Sequence, residues 1–538
     1  MSHFDADLKI WSGPISKPIF NTDTNLGELL MFCLNKTPEK ITQINADSGA
    51  TLTCGELRSK SIRVANALKQ MGFKTGDIMM IAARNHPDIC PALFGCLIIG
   101  APVNVVDVNF SKDDVAHMIQ LLKPKMIFCD FDVLEKMVQA LIETNHRAHF
   151  ITFNDYSAKA LYIDQLYRVQ CDEDNFVFPA LDDPSKHTAL IMCSSGTTGL
   201  PKGVCLSHSQ VIHQIQSLPY RKSTEVVLNY SSLYWISGMS VTLQSVMLNF
   251  TRVVTTKPFN LKDFYHILEN FEITGFFGSP MMFMMALRDP EIYYVDFRFV
   301  QNCYLGGAIV SGQLIEKIKR ICKINTMAIY GMTESCAVIS FNRELTEPEG
   351  SVGVLSKNMS VRITDPNGNS LNPNEIGEIQ FLTKYRFLGY YNNEEATKDA
   401  LLADGWFRTG DLGYFDDRGY LFVVGRDKDT IKFMGHQISP NEIENLILEI
   451  QGVLMCCVVG IPDELYGDLP AAAVIKMPGI DLNENDIKEK VSNHLSDFKQ
   501  LRGGVYFIEN FPRTVSGKIK VREIREIVIK LYEEKNVK

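Results

Sequence analysis

The sequence predicts an α/β fold in which two mostly parallel sheets, flanked by helices, form a large N-terminal domain that is followed by a small α+β domain. Strand-like and helix-like segments alternate over residues 52–130 and again over 189–331, which is typical of parallel sheets covered by helices. After Ser351 the segments become short strands separated by turn residues, which indicates a β-rich subdomain. Beyond residue 429, strands and helices mix again over about one hundred residues, the size of a compact domain.

Individual elements follow from apolar runs and from capping residues. The apolar runs 189–193 and 204–206 predict two buried strands. Ser207 then stands where the N-cap of a helix over 208–217 belongs. Further along, residues 439–442 read Ser-Pro-Asn-Glu. This pattern predicts a capping box with proline at the first helical position.

The composition is that of a soluble globular protein with large hydrophobic cores. The chain has 538 residues, of which 46% are hydrophobic and 22% charged, and its formal net charge is −9. No basic surface for nucleic acid or anionic membrane is therefore expected. The 13 cysteines include no Cys-x-x-Cys pair, which favours small buried hydrophobes in a reducing compartment over disulfides or a zinc site. The oligomeric state is left open.

Targeting signals are sought at the ends of the chain and in its longest uncharged run. The first residues are acidic and lack an apolar core of the signal-peptide type. The uncharged run 89–106 contains prolines and glycines, which favours a buried helix and strand over a transmembrane segment. The chain ends in Asn536-Val537-Lys538 rather than in the peroxisomal Ser-Lys-Leu address. We therefore expect a cytoplasmic protein, with the peroxisome as the alternative.

A short polar stretch joins the first two predicted strands. Residues 194–203 read SSGTTGLPKG and combine hydroxyls, glycines and one lysine. Glycine lets backbone N–H groups approach an anion, while the hydroxyls and Lys202 add donors and positive charge. The order is not that of a Walker A loop, because Pro201 precedes the lysine and Gly203 follows it. These features predict a loop that binds a polyphosphate.

This loop resembles the phosphate-loop signature of the adenylate-forming superfamily, which includes acyl-CoA synthetases, 4-coumarate–CoA ligases, insect luciferases and peptide-synthetase adenylation domains. Blocks that resemble the other signatures follow in order at residues 330–334, 405–411, 425–440 and 512–518. The resemblance spans nearly the whole chain and is closest to the insect luciferase and fatty acyl-CoA synthetase branch. It implies an adenylation domain at 1–425 (with the β-rich subdomain at about 351–425), a hinge at 426–428 and a mobile C-terminal domain at 429–538.

The resemblance implies that the nucleotide is ATP, and it assigns the binding residues by position. Asp411 would accept hydrogen bonds from the ribose hydroxyls, as acidic residues do at other nucleotide sites. Tyr330 would offer a flat face to the adenine ring. The implied ATP and AMP site consists of Ser194, Ser195, Gly196, Thr197, Thr198, Gly199, Lys202, Gly307, Ala308, Tyr330, Gly331, Thr333, Asp411, Arg426, Lys428, Lys432 and Lys518.

The implied catalytic residues are Lys518, Lys432, Thr333 and Glu334. When a carboxylate attacks the α-phosphorus of ATP, two anions approach each other, so positive charge must lie between them. Lys518 is a point charge on a long stem that suits this position. Lys432 belongs to the face that the small domain would present for thioester formation. Glu334 would bind Mg²⁺, which takes one or two carboxylates together with phosphate oxygens.

The residues implied for the acyl substrate are Tyr234, Trp235, Gly307 and Met332, and those for CoA are Met434 and Gly435. Several positions depart from the family pattern near the acyl pocket, including Met327, where luciferases usually have an arginine, and Ile329, where the family commonly has a glycine. The methionines at 281, 282, 284 and 285 are interpreted as part of a buried amphipathic helix, with the wall of an acyl tunnel as the alternative.

These assignments predict an ATP-dependent carboxylic acid–CoA ligase that forms an acyl-adenylate and pyrophosphate, then a thioester with CoA and AMP. Because no charged residue marks a pocket for an aromatic or polar acid, a medium- or long-chain fatty acid is favoured. The alternatives are a ligase for coumarate-like aromatic acids, a luciferase-type monooxygenase and a non-catalytic binder of nucleotide or acyl-CoA. Met327 and Trp235 count against the monooxygenase, and Lys518 together with Glu334 counts against the binder.

Overall fold

Two units make up the fold in the computed structural model. The structure describes residues 2–194, 200–218, 222–308, 310, 312–342, 348–434, 436–463, 465–513 and 519–536. The first unit comprises Met1–Val361, Phe381–Phe407 and Arg418–Leu421. The second comprises Arg362–Gln380, Arg408–Asp417 and Phe422–Lys538.

The strands are short, as is usual for sheets in α/β proteins. In chain order they are β1 (His3–Asp5), β2 (Ile10–Ser12), β3 (Ile41–Asn45), β4 (Thr51–Thr53), β5 (Met79–Ala82), β6 (Val103–Val105), β7 (Met126–Cys129), β8 (His149–Thr152), β9 (Leu161–Tyr162), β10 (Thr188–Ser194), β11 (Lys202–Ser207), β12 (Val226–Asn229), β13 (Thr251–Val254), β14 (Gly275–Gly278), β15 (Asn302–Leu305), β16 (Asn325–Met332), β17 (Ala337–Phe341), β18 (Val354–Leu355), β19 (Met359–Thr364), β20 (Gly377–Thr383), β21 (Gly389–Tyr390), β22 (Phe407–Phe415), β23 (Leu421–Arg426), β24 (Ile431–Phe433), β25 (His436–Ile438), β26 (Val453–Asp463), β27 (Gly467–Lys476) and β28 (Gly504–Phe507).

Helices separate most of the parallel strands. They are α1 (Leu26–Asn35), α2 (Cys54–Gln70), α3 (Ile89–Ile98), α4 (Lys112–Leu122), α5 (Phe131–Glu143), α6 (Ile163–Tyr167), α7 (His208–Ser217), α8 (Ile236–Met247), α9 (Leu261–Asn270), α10 (Pro280–Ala286), α11 (Gly312–Cys322), α12 (Glu394–Ala400), α13 (Pro440–Leu448), α14 (Glu484–His494) and α15 (Val521–Asn536), with 3-10 turns at Pro290–Tyr294, Asp427–Asp429 and Asp497–Lys499.

Two large sheets lie in the first unit. One has eight strands in the order β21-β11-β10-β6-β5-β7-β8-β9, and the other has nine in the order β18-β17-β16-β15-β14-β12-β13-β3-β4. Pairing is parallel through the middle of both sheets, and antiparallel pairs lie towards their ends. Every residue of β5 and β7 is buried, as expected for strands covered by helices on both faces. The predicted α/β fold class with mostly parallel sheets is confirmed.

Two smaller sheets complete the fold. A six-stranded sheet has the order β1-β2-β19-β20-β22-β23, and its last four strands come from the segment where the sequence changes to short strands. In the second unit, β25, β24, β27 and β26 form a sheet in that order, with β28 paired to β27. The helices α13 and α15 pack against β26. This arrangement is the α+β texture predicted for the end of the chain.

Capping residues set several helix starts. Thr53 and Glu56 form a capping box at α2, and Ser111 and Asp114 form one at α4, which satisfies backbone donors that each helix leaves open. At α7 the predicted N-cap is confirmed, because the Ser207 side chain accepts a hydrogen bond from the Gln210 N–H.

The capping box predicted at Ser439 is wrong. Ser439 occupies the N-cap position of α13, but its side chain makes no capping bond to the helix. Its hydroxyl instead donates to the Val424 carbonyl at 2.7 Å, and the Asn441 side-chain amide donates to the same oxygen at 3.3 Å. Glu442, the other half of the expected box, accepts from Lys499 at 2.6 Å. Tertiary partners have therefore replaced the local ones that the four-residue pattern offers.

The structure also bears on the expected state of the cysteines and on the expectation of no transmembrane segment. All 13 cysteines are free, and each except Cys171 is buried, which agrees with their interpretation as small hydrophobes. Among the helices that the structure describes, none combines the length and apolar character that crossing a membrane requires.

Candidate functional site

The predicted phosphate loop connects the two strands of an antiparallel hairpin. Ser194 ends β10, Lys202 begins β11, and the two residues lie opposite each other in the strand register. The loop leaves the sheet where β10 runs parallel to β6, at the carboxyl ends of those strands. This edge is where open α/β sheets generally bind ligands. The fold therefore delivers both ends of the polar loop to a position suited to an anion.

A tyrosine from a distant segment lies against Lys202. The two-residue strand β21 pairs with β11, with Tyr390 opposite Val204. The Lys202 ammonium lies 5.1 Å from the centroid of the Tyr390 ring, within the range of a cation–π contact. Both residues are half-buried, so the contact is partly shielded from water.

Glu334 lies in a tight turn between β16 and β17. The Cys336 N–H donates to the Thr333 carbonyl at 2.9 Å, and the Ser335 hydroxyl donates to the Met332 carbonyl at 2.9 Å. Cys336 has a φ of 56°, the left-handed conformation that lets the chain reverse within the turn. These bonds hold the turn that carries Thr333 and Glu334.

The Glu334 carboxylate is buried and hydrogen-bonded. Glu334 is only 5% exposed, and its Oε1 accepts a hydrogen bond from the Tyr390 hydroxyl at 2.8 Å. The Gln210 side-chain amide donates to the Glu334 backbone carbonyl at 3.1 Å. Burial and the neighbouring Glu334 carboxylate raise the pKa of the Tyr390 phenol, so the phenol stays protonated and donates. Lys202, Glu334 and Tyr390 thus meet in one cluster, which we call the Tyr390 cluster.

The donor set in the Tyr390 cluster fits magnesium better than a metal held wholly by protein. No group of three or more His, Cys, Asp or Glu side chains among the described residues could hold a metal ion. Magnesium commonly binds one or two carboxylates and completes its shell with phosphate oxygens and water. The buried carboxylate of Glu334, bonded to the tyrosine that contacts Lys202, is a ligand of that kind.

Glycines lie at the carboxyl ends of two parallel strands of the nine-stranded sheet, β14 and β15. A Cβ atom on Gly306 would lie 3.1 Å from the Ile329 carbonyl and 3.4 Å from the Phe277 ring. One on Gly278 would lie 3.4 Å from the Met282 sulfur. Gly307 has a φ of 82°, and it is exposed together with Ala308. These residues leave an accessible edge with an apolar wall, as expected for an acyl or purine contact.

Tyr330, Gly331, Met332 and Thr333 lie along the same edge. Tyr330 is half-buried on β16 and pairs with Ser340 of β17. Gly331 is exposed, and Met332 and Thr333 are half-buried. The strand end thus places these four predicted residues beside the turn of Glu334.

Three aromatic rings form a chain of edge contacts near the start of α8. Tyr234 is 5% exposed and makes T-shaped contacts with Phe110, at 5.5 Å between ring centroids, and with Trp235, at 5.2 Å. Trp235 itself is half-buried and is the N-cap residue of α8. Its indole is therefore partly accessible rather than packed wholly in the core.

The methionine-rich helix α10 is less buried than the sequence interpretation expected. Phe283 and Ala286 form its buried face. Met281, Met282 and Met284 are half-buried, and Met285 is 43% exposed. The segment forms the predicted amphipathic helix, but its buried face consists of Pro280, Phe283 and Ala286, and the methionines lie beside that face.

The turn that carries Tyr234 and Trp235 depends on a glycine. A Cβ atom on Gly238 would lie 2.1 Å from the Ser232 carbonyl oxygen and 2.5 Å from that of Ser231. Backbone atoms cannot yield as a flexible side chain can. We expect Gly238→Ala to lower the free energy of unfolding by roughly 1–3 kcal/mol, measured by urea denaturation. The matched change Ser237→Ala should stay within about 0.5 kcal/mol of the wild type, and equal stability of the two variants would contradict this packing argument.

Asp411, predicted to bind the ribose, and Arg426, predicted to contact the nucleotide, lie in the second unit. Asp411 on β22 is 8% exposed, and its Oδ1 is 3.1 Å from the Nε of Arg426 on β23. The Asp411 N–H donates to the Thr409 hydroxyl at 3.0 Å, and that hydroxyl donates to the Ile379 carbonyl at 2.7 Å. The structure brings Asp411 and Arg426 together and fixes the backbone beside them.

The other predicted residues of the second unit that the structure describes are Lys428, Lys432 and Met434. Lys428 is exposed in the 3-10 turn Asp427–Asp429. Lys432 is exposed on β24, in a different sheet from Asp411, and its N–H donates to Asp468 at 3.3 Å. Met434 is 62% exposed, with a φ of 48°, and its N–H donates to the Tyr466 carbonyl at 2.9 Å.

Several predicted residues lie outside the part of the chain that the structure describes. They are Ser195, Gly196, Thr197, Thr198, Gly199, Gly435 and Lys518.

Tyr390 of the cluster and Gln210, whose side-chain amide donates to the Glu334 backbone carbonyl, were not predicted from the sequence. Tyr390 stands in a two-residue strand, too short to produce a periodic signal. Gln210 lies on a helix whose residues are all buried, and polar residues on such a helix need partners. That buried polar content was the available signal for Gln210, whereas Tyr390 offered none.

Comparison with known proteins gives matches along the chain. The AMP-binding enzyme family matches residues 33–391, and the AMP-binding enzyme C-terminal domain matches residues 442–518. A luciferin 4-monooxygenase of Photuris pensylvanica is 29% identical over 522 residues, which cover 94% of this chain and 95% of that protein. The probable 4-coumarate–CoA ligase 1 of Dictyostelium discoideum is 29% identical over 488 residues, covering 86% of this chain and 88% of that protein.

Among solved structures, the anthranilate CoA ligase AuaEII in complex with anthranoyl-AMP has a TM-score of 0.87 at 19% identity. The match covers 95% of this chain and 98% of that chain, and at this identity it concerns the fold. The family match alone covers more than half of the sequence. The chain therefore belongs to the AMP-binding, adenylate-forming enzyme family.

Proposed function

We propose that this protein is an ATP-dependent carboxylic acid–CoA ligase. In the first half-reaction, the carboxylate of the acid attacks the α-phosphorus of ATP and displaces pyrophosphate, which gives an acyl-adenylate. In the second, the CoA thiol attacks the acyl carbon and displaces AMP, which leaves the thioester. The observation that carries the proposal is the Tyr390 cluster, where Lys202 and the buried Glu334 meet at the ends of the phosphate-loop strands.

The residues of the first unit would bind and orient the nucleotide. Lys202 and the hydroxyls of the loop would hold the phosphates, and Tyr330 with Gly307 and Ala308 would flank the adenine. Glu334 would hold Mg²⁺ together with phosphate oxygens, and the ion would supply positive charge to neutralise the leaving pyrophosphate. Thr333 stands in the same turn as Glu334 and would contact the nucleotide beside it.

The second unit would supply the remaining contacts and the two charged residues that separate the half-reactions. Asp411 would accept from the ribose hydroxyls, with Arg426 beside it. We propose that residues 426–428 act as a hinge between domains at 1–425 and 429–538. Lys518 would serve adenylation, whereas Lys432, Met434 and Gly435 would serve thioester formation.

The acid itself is proposed to be a medium- or long-chain fatty acid. The side chains nearest to Gly278 and Gly306 are apolar, namely Met282, Leu305 and Phe277. Methionine side chains such as Met282 adapt to flexible chains. A second candidate is an aromatic acid, because Phe110, Tyr234 and Trp235 present edge and face contacts of the kind that aryl rings prefer. The similarity to a probable 4-coumarate–CoA ligase also supports this second candidate.

A panel of acids tests the proposal. AMP release would be measured with octanoate, palmitate, 4-coumarate and benzoate, each with and without CoA, and thioesters would be identified by mass spectrometry. We expect CoA-dependent thioester formation with the fatty acids. Turnover of 4-coumarate or benzoate but of neither fatty acid would favour the aromatic candidate. Emission of light with luciferin, ATP and oxygen would favour a monooxygenase. AMP release with none of the acids would contradict the ligase proposal.

A further inference from the structure

We propose that Tyr390 is a positioning residue that orders the Glu334 carboxylate and the Lys202 ammonium before the nucleotide binds. The inference rests on the proposed function, since it concerns the residues that would hold Mg²⁺ and the phosphates. The side chain of Tyr390 contacts two different residues, one through its hydroxyl and one through its ring. Its hydroxyl donates to Glu334 Oε1 at 2.8 Å, and its ring centroid is 5.1 Å from the Lys202 ammonium.

The backbone around Tyr390 is fixed on both sides. The Leu388 N–H donates to the Cys205 carbonyl at 2.9 Å, and the Tyr391 N–H donates to the Gly203 carbonyl at 2.7 Å. The Tyr390 N–H itself donates to the Thr397 hydroxyl at 2.9 Å. Because these bonds attach the segment to β11 and to α12, the direction of the Tyr390 side chain is set by the fold.

Close packing at Gly389, the residue before Tyr390, further restricts the backbone conformation of this segment. Gly389 has a φ of 118°, and a Cβ atom there would lie 3.0 Å from the Thr397 side chain. A glycine is therefore required for β21 to reach β11 at this angle. The Phe387 ring makes a T-shaped contact with the Tyr390 ring at 5.1 Å between centroids, which restrains its rotation.

Ordering both charges in advance has a clear physical benefit. A lysine side chain carries substantial rotamer entropy, which is lost when the ammonium is fixed against a phosphate. A carboxylate that is already held in one orientation likewise loses less freedom when it binds an ion. Preorganisation of this kind lowers the free-energy cost of binding. Tyr390 provides it for two charges of opposite sign: the Lys202 ammonium, which would contact the phosphates, and the Glu334 carboxylate, which would hold the magnesium ion.

The turn that carries Glu334 is also held from a second side. The Gln210 amide, which donates to the Glu334 backbone carbonyl at 3.1 Å, holds the same turn from its other side.

The test uses equilibrium binding of ATP to the full-length protein, measured by calorimetry with Mg²⁺ and with EDTA. Tyr390→Phe removes the hydroxyl and keeps the ring, so it should weaken binding with Mg²⁺ by about 10-fold, as expected for a lost hydrogen bond to a charged group. Binding in EDTA should stay close to that of the wild type. Tyr390→Leu also removes the ring, so it should weaken binding under both conditions. The neighbouring change Tyr391→Phe serves as the matched control and should alter neither.

A double-mutant cycle with Glu334→Gln separates positioning from general stability. If Tyr390 acts through the Glu334 carboxylate, Tyr390→Phe should have little further effect on binding in the Glu334→Gln background. Independent, multiplying effects would overturn the inference, as would an equal loss with and without Mg²⁺. If the wild type binds ATP with Mg²⁺ but releases AMP with no acid, the ligase function fails while the role of Tyr390 is still decided by binding.

Discussion

Glu334→Gln is expected to reduce acid-dependent ATP–pyrophosphate exchange by about 10²- to 10³-fold, the scale of losing one electrostatic contact in a catalytic site. Glutamine preserves the shape of the side chain, and its carbonyl oxygen can still accept a hydrogen bond from Tyr390. The negative charge, however, is lost, and a neutral amide is a poor ligand for magnesium compared with a carboxylate. Exchange would be measured with the acid identified by the panel.

The matched control is Glu316→Gln. Glu316 is a surface residue whose side chain is 69% exposed and whose partner is Lys319, at 3.2 Å. Surface pairs of this kind contribute little, so the control should exchange like the wild type. If Glu334→Gln also retained near-normal exchange, Glu334 would not be the residue that holds the metal.

Lys518→Ala is expected to abolish the first half-reaction while sparing the second. Without an ammonium between the acid and the α-phosphate, the repulsion of two anions is uncompensated, and exchange should fall by about 10²- to 10³-fold. Conversion of a supplied acyl-adenylate and CoA to thioester requires no such neutralisation and should continue. The two half-reactions would be measured separately, by exchange and by thioester formation.

Two further variants sharpen the assignment of Lys518. Lys432→Ala should show the reverse pattern, with exchange retained and thioester formation slowed. Lys520→Ala is the nearby control, because this lysine is engaged with Glu523 at 2.6 Å, and it should alter neither step. Equal losses in both half-reactions for Lys518→Ala would contradict the assignment of Lys518 to adenylation and Lys432 to thioester formation.

The strand ends that flank the phosphate loop illustrate what sequence reasoning can predict. The apolar run 189–193 and the N-cap Ser207 are local signals, and the structure has β10 and the start of α7 where these signals indicate. Tyr390 illustrates the opposite case. It bonds Glu334 from 56 residues away and pairs with β11 through a strand too short to carry a pattern. Contacts of this kind depend on tertiary arrangement, which local periodicity does not encode.

Ser439 shows how a local signal can fail, and the helix α10 shows how one can be incomplete. The Ser-Pro-Asn-Glu sequence is compatible with a capping box, but the Val424 carbonyl offers the serine hydroxyl a tertiary partner at 2.7 Å. A run rich in methionine suggests burial, yet Met285 is 43% exposed, because hydrophobicity alone does not determine which side of a short helix packs. For Ser439, the competing interaction comes from a residue 15 positions away in the sequence.

The edge position of β21 has a consequence for biosynthesis. This strand covers β11 at one end of the eight-stranded sheet, yet it is translated long after its partner. Until residues 389–391 emerge from the ribosome, β11 exposes unpaired backbone groups of the kind that recruit other chains. Nascent chains halted before that point should therefore be prone to aggregation and should depend on chaperones.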